Sequence, residues 1–210
     1  MSKQIVQDWL VDCAALSPVE LHSFASSLKH NDEVINALCN VFDNPDTSMD
    51  IISQVCDQFF TFHRSRETDL QQFTLQFLPS LIYIYLNSIA CGKKKSCSSV
   101  ETLLIGVYNL EVVDENGQPV SISFRMPSLA QASIYHEPMN LAHASLTEAA
   151  LRRLEECNVK PVSWGPLPQV ETLNSQNRLK VITGLLFVFN RHIGCLHKTA
   201  LENLCKISSR

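Results

Sequence analysis

The sequence predicts a mainly helical, all-α protein with one small β-hairpin near residues 110–126. Through most of the chain, apolar residues recur three and four positions apart, which is the spacing of one face of an α-helix. Serine, asparagine or aspartate residues precede several of these stretches and can cap the helices. Alternation of apolar and polar residues around a tight turn is convincing only in residues 110–126.

Composition limits the class of protein. The chain has 210 residues, of which 45% are hydrophobic and 18% are charged. The hydrophobic share can fill a core, so wholesale disorder is excluded, and the charged share lies below the usual value of roughly 25%. A net charge of −4 provides no overall field that would attract nucleic acid or an anionic membrane. A filled core with few charges indicates that some apolar surface faces a protein partner.

The first part of the chain predicts a succession of amphipathic helices. The first helix covers residues 3–15, and a capping box formed by Ser17 and Glu20 opens the second. Asn31 begins the third, and the stretch 47–50 caps the fourth. The inward-facing residues predicted for these helices include Ile5, Trp9, Leu10, Cys13, Leu21, Phe24, Leu28, Val34, Ile35, Leu38, Phe42, Ile52, Val55, Phe59 and Phe62.

Residues 67–90 are the most hydrophobic part of the chain. Their apolar run, 77–90, is shorter than the ~20 residues that a transmembrane helix needs. The sequence therefore predicts a buried central helix and no transmembrane segment. Pro79 lacks a backbone N–H, so we expect a break or kink of the helix at that point.

Three adjacent lysines, Lys93–Lys95, lie in the polar stretch 91–99. They predict a solvated turn, with contact to anionic lipid headgroups or to an acidic partner as the alternative. Ser98 and Glu101 then form a capping box that predicts the start of a further helix.

The helical spacing changes after residue 109. In the predicted hairpin, residues 110–113 and 119–126 are the strands, and Gly117 supplies the positive φ of the turn. After the hairpin the sequence predicts, in order, an irregular stretch at 127–145, a helix capped at 145–148, a proline-rich stretch at 159–169, a long helix at about 172–192 and a last helix from about residue 198.

The eight cysteines are predicted to be reduced thiols. The first residues do not have the basic region, apolar core and cleavage site of a secretory signal, and the chain contains no Asn-x-Ser/Thr acceptor. Without a route to an oxidising compartment, a disulfide framework is not expected. The chain is therefore predicted to reside in the cytosol.

The sequence predicts no catalytic site and no cofactor. It contains no glycine-rich phosphate loop and no Gly-x-Ser-x-Gly elbow. The alternative is a small thiol- or metal-dependent enzyme built from the cysteines and histidines. Its best metal candidate is the set His192, Cys195 and His197, although the same residues are also typical of a helix end followed by a turn. Its candidate reactive thiols are Cys91 and Cys97, which flank the three lysines.

Four short motifs, taken together, resemble the N-terminal domain of the hyccin family. They are FTLQFLP at 73–79, YNLE at 108–111, YHEP at 135–138 and QNR at 176–178. Each motif is short, but the longer segments around them occur in the family's order and cover most of residues 1–210.

The resemblance implies a single helical domain over residues 1–210, forming the N-terminal part of a longer protein. It also implies a non-catalytic adaptor in the cytosol, recruited peripherally to the plasma membrane. The partners that it implies are a tetratricopeptide-repeat scaffold protein, phosphatidylinositol 4-kinase type III alpha and, indirectly, a palmitoylated membrane-anchor protein. In such a complex the hyccin subunit stabilises the scaffold and supports production of phosphatidylinositol 4-phosphate. Nucleic acid is not an expected partner.

The irregular, proline-containing stretches are the predicted partner-binding surface, because proline-fixed loops that carry aromatic residues suit recognition. In the alternative interpretation, Tyr135 and Trp164 pack on the protein's own core. The predicted contact residues are Ile134, Tyr135, His136, Pro138, Trp164, Pro166 and Pro168.

Overall fold

The structure is a computed structural model that describes residues 2–17, 19–44, 48–124, 148 and 162–209. These residues are mostly helical and contain one two-stranded antiparallel sheet, which confirms the predicted fold class. The helices are α1 (Ser2–Ala14), α2 (Leu21–Lys29), α3 (Asp32–Asp43), α4 (Met49–Arg64), α5 (Thr68–Leu75), α6 (Leu78–Ala90), α7 (Ser98–Glu111), α8 (Arg178–His192) and α9 (Lys198–Ser208). The strands are β1 (Ile122–Phe124) and β2 (Val162–Trp164).

The chain divides into two compact units, which we describe separately. The first contains Met1–Glu111 and Gln169–Arg210, and the second contains Val112–Pro168. All of the helices named above belong to the first unit, and both strands belong to the second. The single domain expected over residues 1–210 stays a prediction.

The core of the first unit is an aromatic cluster around Phe59. The Phe59 ring stacks on Phe77, with the ring centroids 5.1 Å apart, and meets Trp9 and Phe73 edge-on at 6.2 and 6.1 Å. Phe42 lies 6.3 Å away at a tilted angle. These rings come from α1, α3, α4, α5 and the residue preceding α6, so the cluster joins five helices. Each such aromatic pair stabilises the fold by about 0.5–1.5 kcal/mol, in addition to the stabilisation from burying its apolar surface.

The apolar stretch around Pro79 forms two helices and not one straight helix. α5 ends at Leu75 and α6 begins at Leu78, so Pro79 occupies the first turn of α6. Backbone N–H groups in the first turn have no partner within the helix, so the missing N–H of proline costs no helical hydrogen bond there. This confirms the predicted break. Among the described residues, Thr68–Ala90 is long and apolar enough by composition to cross a membrane. It is mostly buried inside the structure, as the central helix of a core is.

Three of the predicted helix starts are present. The Asn31 side chain accepts the Val34 N–H at 3.1 Å, and Ser48 accepts the Asp50 N–H at 3.2 Å. The Glu20 carboxylate reaches back to the backbone N–H of residue 17, as the capping box predicts, although α2 itself begins at Leu21.

The helix predicted to start at Ser98 does start there, as α7, but the predicted cap differs from the structure. The carboxylate of Glu101 accepts the backbone N–H of Leu173 at 3.3 Å and pairs with Lys94 at 3.3 Å. It therefore makes tertiary contacts in place of the predicted cap.

The long helix predicted from residue 172 begins only at Arg178. The Asn174 side chain accepts the N–H groups of Gln176 and Asn177, and the Asn177 amide donates to the Thr172 carbonyl at 2.8 Å. These side chains hold the backbone in turns, because asparagine hydrogen-bonds the backbone in competition with the helix.

In the second unit, the predicted turn forms around Gly117. Gly117 has φ +75°, and the chain returns so that the Val120 N–H donates to the Val112 carbonyl at 2.8 Å. The Asp114 carboxylate accepts the backbone N–H of Asn116 at 2.8 Å and stabilises the turn.

The strand pairing of the predicted 110–126 hairpin is different in the structure. α7 continues to Glu111, and the two arms of the turn share only an isolated bridge between Val113 and Pro119. Ile122–Phe124 pairs instead with Val162–Trp164, almost 40 residues further along the chain. The chain is helical up to Glu111, so no extended residue precedes Val112 to continue the ladder, and the residues after Val120 pair elsewhere.

We predict that Phe59→Ala lowers the free energy of unfolding by about 3–5 kcal/mol, because Phe59 is completely buried at the centre of the aromatic cluster. Urea denaturation followed by circular dichroism measures this loss. Val11→Ala is the matched control: Val11 is 68% exposed, and its truncation should change stability by less than about 0.5 kcal/mol. A loss below about 1 kcal/mol for Phe59→Ala would contradict the central position of this ring.

Candidate partner-binding surface

The seven residues predicted to bind a partner fall into two groups. Ile134, Tyr135, His136 and Pro138 lie outside the described residues. Trp164, Pro166 and Pro168 lie in β2 and in the segment that follows it, within the second unit. Their role in binding stays a prediction, and the geometry around them is described first.

The β1–β2 ladder gathers four apolar side chains on one face. Ile122 is opposite Trp164, and Phe124 is opposite Val162. Opposed residues and alternate residues of a strand project from the same side of a sheet, so these four form one face, which we call the sheet face. Each of them is at least partly exposed, and Val162 is 40% exposed.

The opposite side of the ladder is polar. It carries Ser123 and Ser163, which pair with each other and are both exposed. A two-stranded sheet is marginally stable by itself in water, so apolar cover over the sheet face would stabilise it. The arrangement is typical of a surface that binds protein: an apolar face with a polar reverse side.

The segment after β2 has a fixed path. Gly165 has φ +130°, a conformation that other residues rarely adopt, and a Cβ there would lie 3.0 Å from the Cα of Ser121. The Gly165–Pro166 peptide bond is cis. Beyond it, Pro166 and Pro168 are exposed whereas Leu167 between them is buried. Leu167 therefore anchors the segment and leaves the two prolines on the surface.

In the first unit, a polar node whose buried member is His63 joins the C-terminal ends of three helices. His63 at the end of α4 donates from Nε2 to Glu111 Oε1 at the end of α7, with 3.2 Å between the two atoms. Arg191 at the end of α8 lies 3.5 Å from the other oxygen of Glu111. The partial negative charge of a helix C-terminus disfavours a carboxylate there, and the hydrogen bond from His63 and the positive charge of Arg191 offset this repulsion.

The node includes one residue with a shifted pKa, Glu111, and the pKa of the neighbouring His192 is shifted as well. Burial raises the pKa of Glu111, but hydrogen bonding and charge from His63 and the charge of Arg191 outweigh burial and leave it below its ordinary value. The pKa of His192 is lowered, chiefly by burial and also by the nearby positive charges. The Nδ1 atom of His63 is buried and has no hydrogen-bond partner within the described residues. The node therefore serves to hold the three helix ends together.

The node was not predicted from the sequence. Its residues are 48 and 80 positions apart, and no local pattern marks Glu111 as a partner of His63 or Arg191. The only signal in the sequence is that His63 and Arg191 lie in the last turns of apolar helices, where a positive charge is favourable.

The proposed metal ligands His192, Cys195 and His197 are not gathered into a site. His197 caps α9 by accepting the Thr199 N–H, and its other ring nitrogen lies 3.1 Å from an oxygen of Asp32. Over the described part of the chain, no group of three or more potential ligands could hold a metal ion.

The cysteine thiols considered for the alternative enzyme are either buried or exposed. Burial raises the pKa of Cys13 and of Cys56 to about 12, and it also raises the pKa of Cys97. The Cys97 Sγ donates to the Lys94 carbonyl at 3.2 Å, so this thiol is occupied as a donor. Cys91 is exposed. A raised pKa reduces the fraction of reactive thiolate, so Cys97 does not have the properties of a nucleophile.

Comparison with models of protein families matches residues 19–210 to the family described as Hyccin. The matched region contains the sheet face, the polar node and all seven residues of the predicted surface.

We predict that iodoacetamide at neutral pH labels the exposed Cys91, Cys195 and Cys205 and leaves Cys13 and Cys56 unmodified in the folded protein. The buried thiols should react at least about tenfold more slowly, because they are protonated and inaccessible. Mass spectrometry of the digest measures the labelling at each site, with urea-unfolded protein as the control for complete reaction. Rapid labelling of Cys13 or Cys56 would contradict their burial.

We predict that Glu111→Gln lowers the free energy of unfolding by about 2 kcal/mol near neutral pH, because it removes a charge that is bound by His63 and Arg191. The folded pKa of Glu111 is lowered from 4.5, so its contribution is present above that value and is lost as the pH falls through the folded pKa. Denaturation curves at several pH values should therefore converge in acid for the two proteins. Glu202→Gln, an exposed change, is the control and should show no such dependence.

Proposed function

Because this chain belongs to the hyccin family, we propose that it is a non-catalytic adaptor of a phosphatidylinositol 4-kinase type III alpha complex. In this proposal the chain binds and stabilises the tetratricopeptide-repeat scaffold of the complex. It thereby supports production of phosphatidylinositol 4-phosphate at the plasma membrane. The observation that carries the proposal is the family match over residues 19–210, which covers most of the chain.

Physical features of the described residues support binding of a helical-repeat partner. Stacked helical repeats form an extended concave surface, on which a small domain can lay apolar side chains. The sheet face supplies such side chains, and the exposed Pro166 and Pro168 continue the surface beyond Trp164. We propose that these elements, together with Ile134, Tyr135, His136 and Pro138, contact the scaffold. A stable interface of this kind would bury more than about 2,000 Å² in total.

We propose that the protein resides in the cytosol and reaches the plasma membrane peripherally. The stretch Thr68–Ala90 supports this, because its apolar side chains are mostly used in the protein core. Recruitment would then depend on the kinase complex, in which a palmitoylated anchor protein is an indirect partner. The chain itself would contribute binding surface and not chemistry.

We predict that Val162→Ser weakens co-purification with the tetratricopeptide-repeat scaffold by about five- to thirtyfold, because it removes the most exposed apolar side chain of the sheet face. Ser163→Ala is the matched control: the neighbouring residue points to the opposite side and should leave binding unchanged. Both proteins are co-expressed with the scaffold, and the recovered scaffold is quantified after affinity purification. Circular dichroism checks that each variant is folded.

Two outcomes would contradict the proposal at different levels. Failure of the unaltered chain to recover the scaffold from cells that contain it would overturn the adaptor function. Equal recovery by Val162→Ser and Ser163→Ala would leave the adaptor function standing and would remove the sheet face from the interface.

A further inference from the structure

An exposed basic loop connects α6 to α7. Residues 91–96 are all exposed, and they contain Lys93, Lys94 and Lys95. Neither Lys93 nor Lys95 forms an ion pair within the described part of the chain, so both charges face solvent. The loop was predicted to be a solvated turn, and its exposure agrees with that interpretation.

Tertiary contacts hold this loop beside the segment that leads into α8. The Lys94 ammonium donates to the Leu173 carbonyl at 3.2 Å and pairs with Glu101 at 3.3 Å. Glu101 in turn accepts the Leu173 N–H. These three contacts hold Lys94 and Glu101 beside Leu173, which lies 79 and 72 positions further along the chain, and Lys94 serves as the anchor of the loop.

The same segment places the start of α8 next to the loop. The Asn177 amide donates to the Thr172 carbonyl at 2.8 Å, so Asn177 lies close to the Leu173 position that Lys94 contacts. Arg178, Leu179 and Lys180 follow immediately. The first turn of α8 therefore follows directly on the segment that Lys94 holds, and we call the lysine loop and this turn together the basic surface.

A large apolar side chain projects from the basic surface. Leu179 is 73% exposed, although it begins an apolar helix. On one side of it, the Arg178 guanidinium lies over the buried Tyr85 ring at 5.8 Å, which holds Arg178 in place. On the other side, Lys180 is exposed. Leu179 is thus presented to solvent between two positive charges.

The charge of the basic surface is opposite to that of the whole chain. The net charge of the chain is −4, whereas this area contains five positive residues. Two carboxylates lie nearby: Glu101, which is engaged by Lys94, and Glu171, which is exposed. The surface is therefore locally positive, and the positive residues are Lys93, Lys94, Lys95, Arg178 and Lys180.

We propose that the basic surface docks on an anionic lipid bilayer. Lysines near a negatively charged membrane are attracted to it, and a projecting leucine can enter the boundary between headgroups and acyl chains. The combination of both features favours a membrane over nucleic acid or a purely acidic polypeptide, because binding to these requires cations but no projecting apolar side chain. The docking is independent of the adaptor function, because it involves the lysine loop and α8 and not the sheet face.

The test is sedimentation of the full chain with phosphatidylserine-containing vesicles and with neutral phosphatidylcholine vesicles. The double variant Lys93→Gln/Lys95→Gln should bind the anionic vesicles about 25-fold more weakly, since each lysine near the surface contributes about fivefold. Leu179→Ser should weaken binding several-fold and leave its dependence on salt unchanged. Soluble glycerophosphoserine should not compete, because the proposed ligand is the bilayer and not the free headgroup.

The matched control is Arg64→Gln. Arg64 is exposed at the end of α4, beside the end of α7 that is remote from the lysine loop. The 14 residues of α7 span roughly 20 Å, so Arg64 is well separated from the basic surface. Its neutralisation should change vesicle binding by less than about twofold.

Three results would overturn the proposal. The first is equal binding to neutral and anionic vesicles. The second is an equal loss of binding in Arg64→Gln and in the double lysine variant. The third is that the chain does not bind vesicles but binds polyaspartate or nucleic acid, and that this binding depends on the lysines and not on Leu179. Circular dichroism of every variant excludes unfolding as the cause of a loss.

Discussion

The contact on which the first unit depends is the packing of Phe59 in the middle of the aromatic cluster. It brings rings from α1, α3, α5 and the start of α6 within 5.1 to 6.3 Å of this one side chain of α4. Helices of 8 to 16 residues are marginal in isolation, so their stability comes mainly from such tertiary burial. Pro79 contributes by ending α5 and starting α6, which turns the chain so that Phe73 and Phe77 both face Phe59.

The aromatic cluster forms the core of the first unit, and the ends of the helices around it carry groups with other roles. At one end of α7, Glu111 joins the ends of α4 and α8. At the other end, the lysine loop is fixed by Lys94. The same helix therefore carries a structural charge cluster at one end and an exposed positive loop at the other. The second unit has a different character, with a small sheet whose apolar face remains partly exposed.

Some side chains of the alternative enzyme hypothesis have structural roles among the residues that the structure describes. His197 caps α9, and Cys97 donates to a backbone carbonyl. Cys13 and Cys56, which were expected to behave as small hydrophobic residues, fill the core.

The sequence by itself determined the helical class, most of the core, the caps at Asn31 and residue 48, and the family. These depend on residues that are close together in the chain, because helical spacing and capping are local. Only the tertiary structure decided the partner of β1, the place of Glu111, the contacts of Glu101 and the late start of α8. Those contacts join residues that are tens of positions apart, or they join side chains to the backbone. No local sequence pattern specifies which of several possible partners each of these residues contacts.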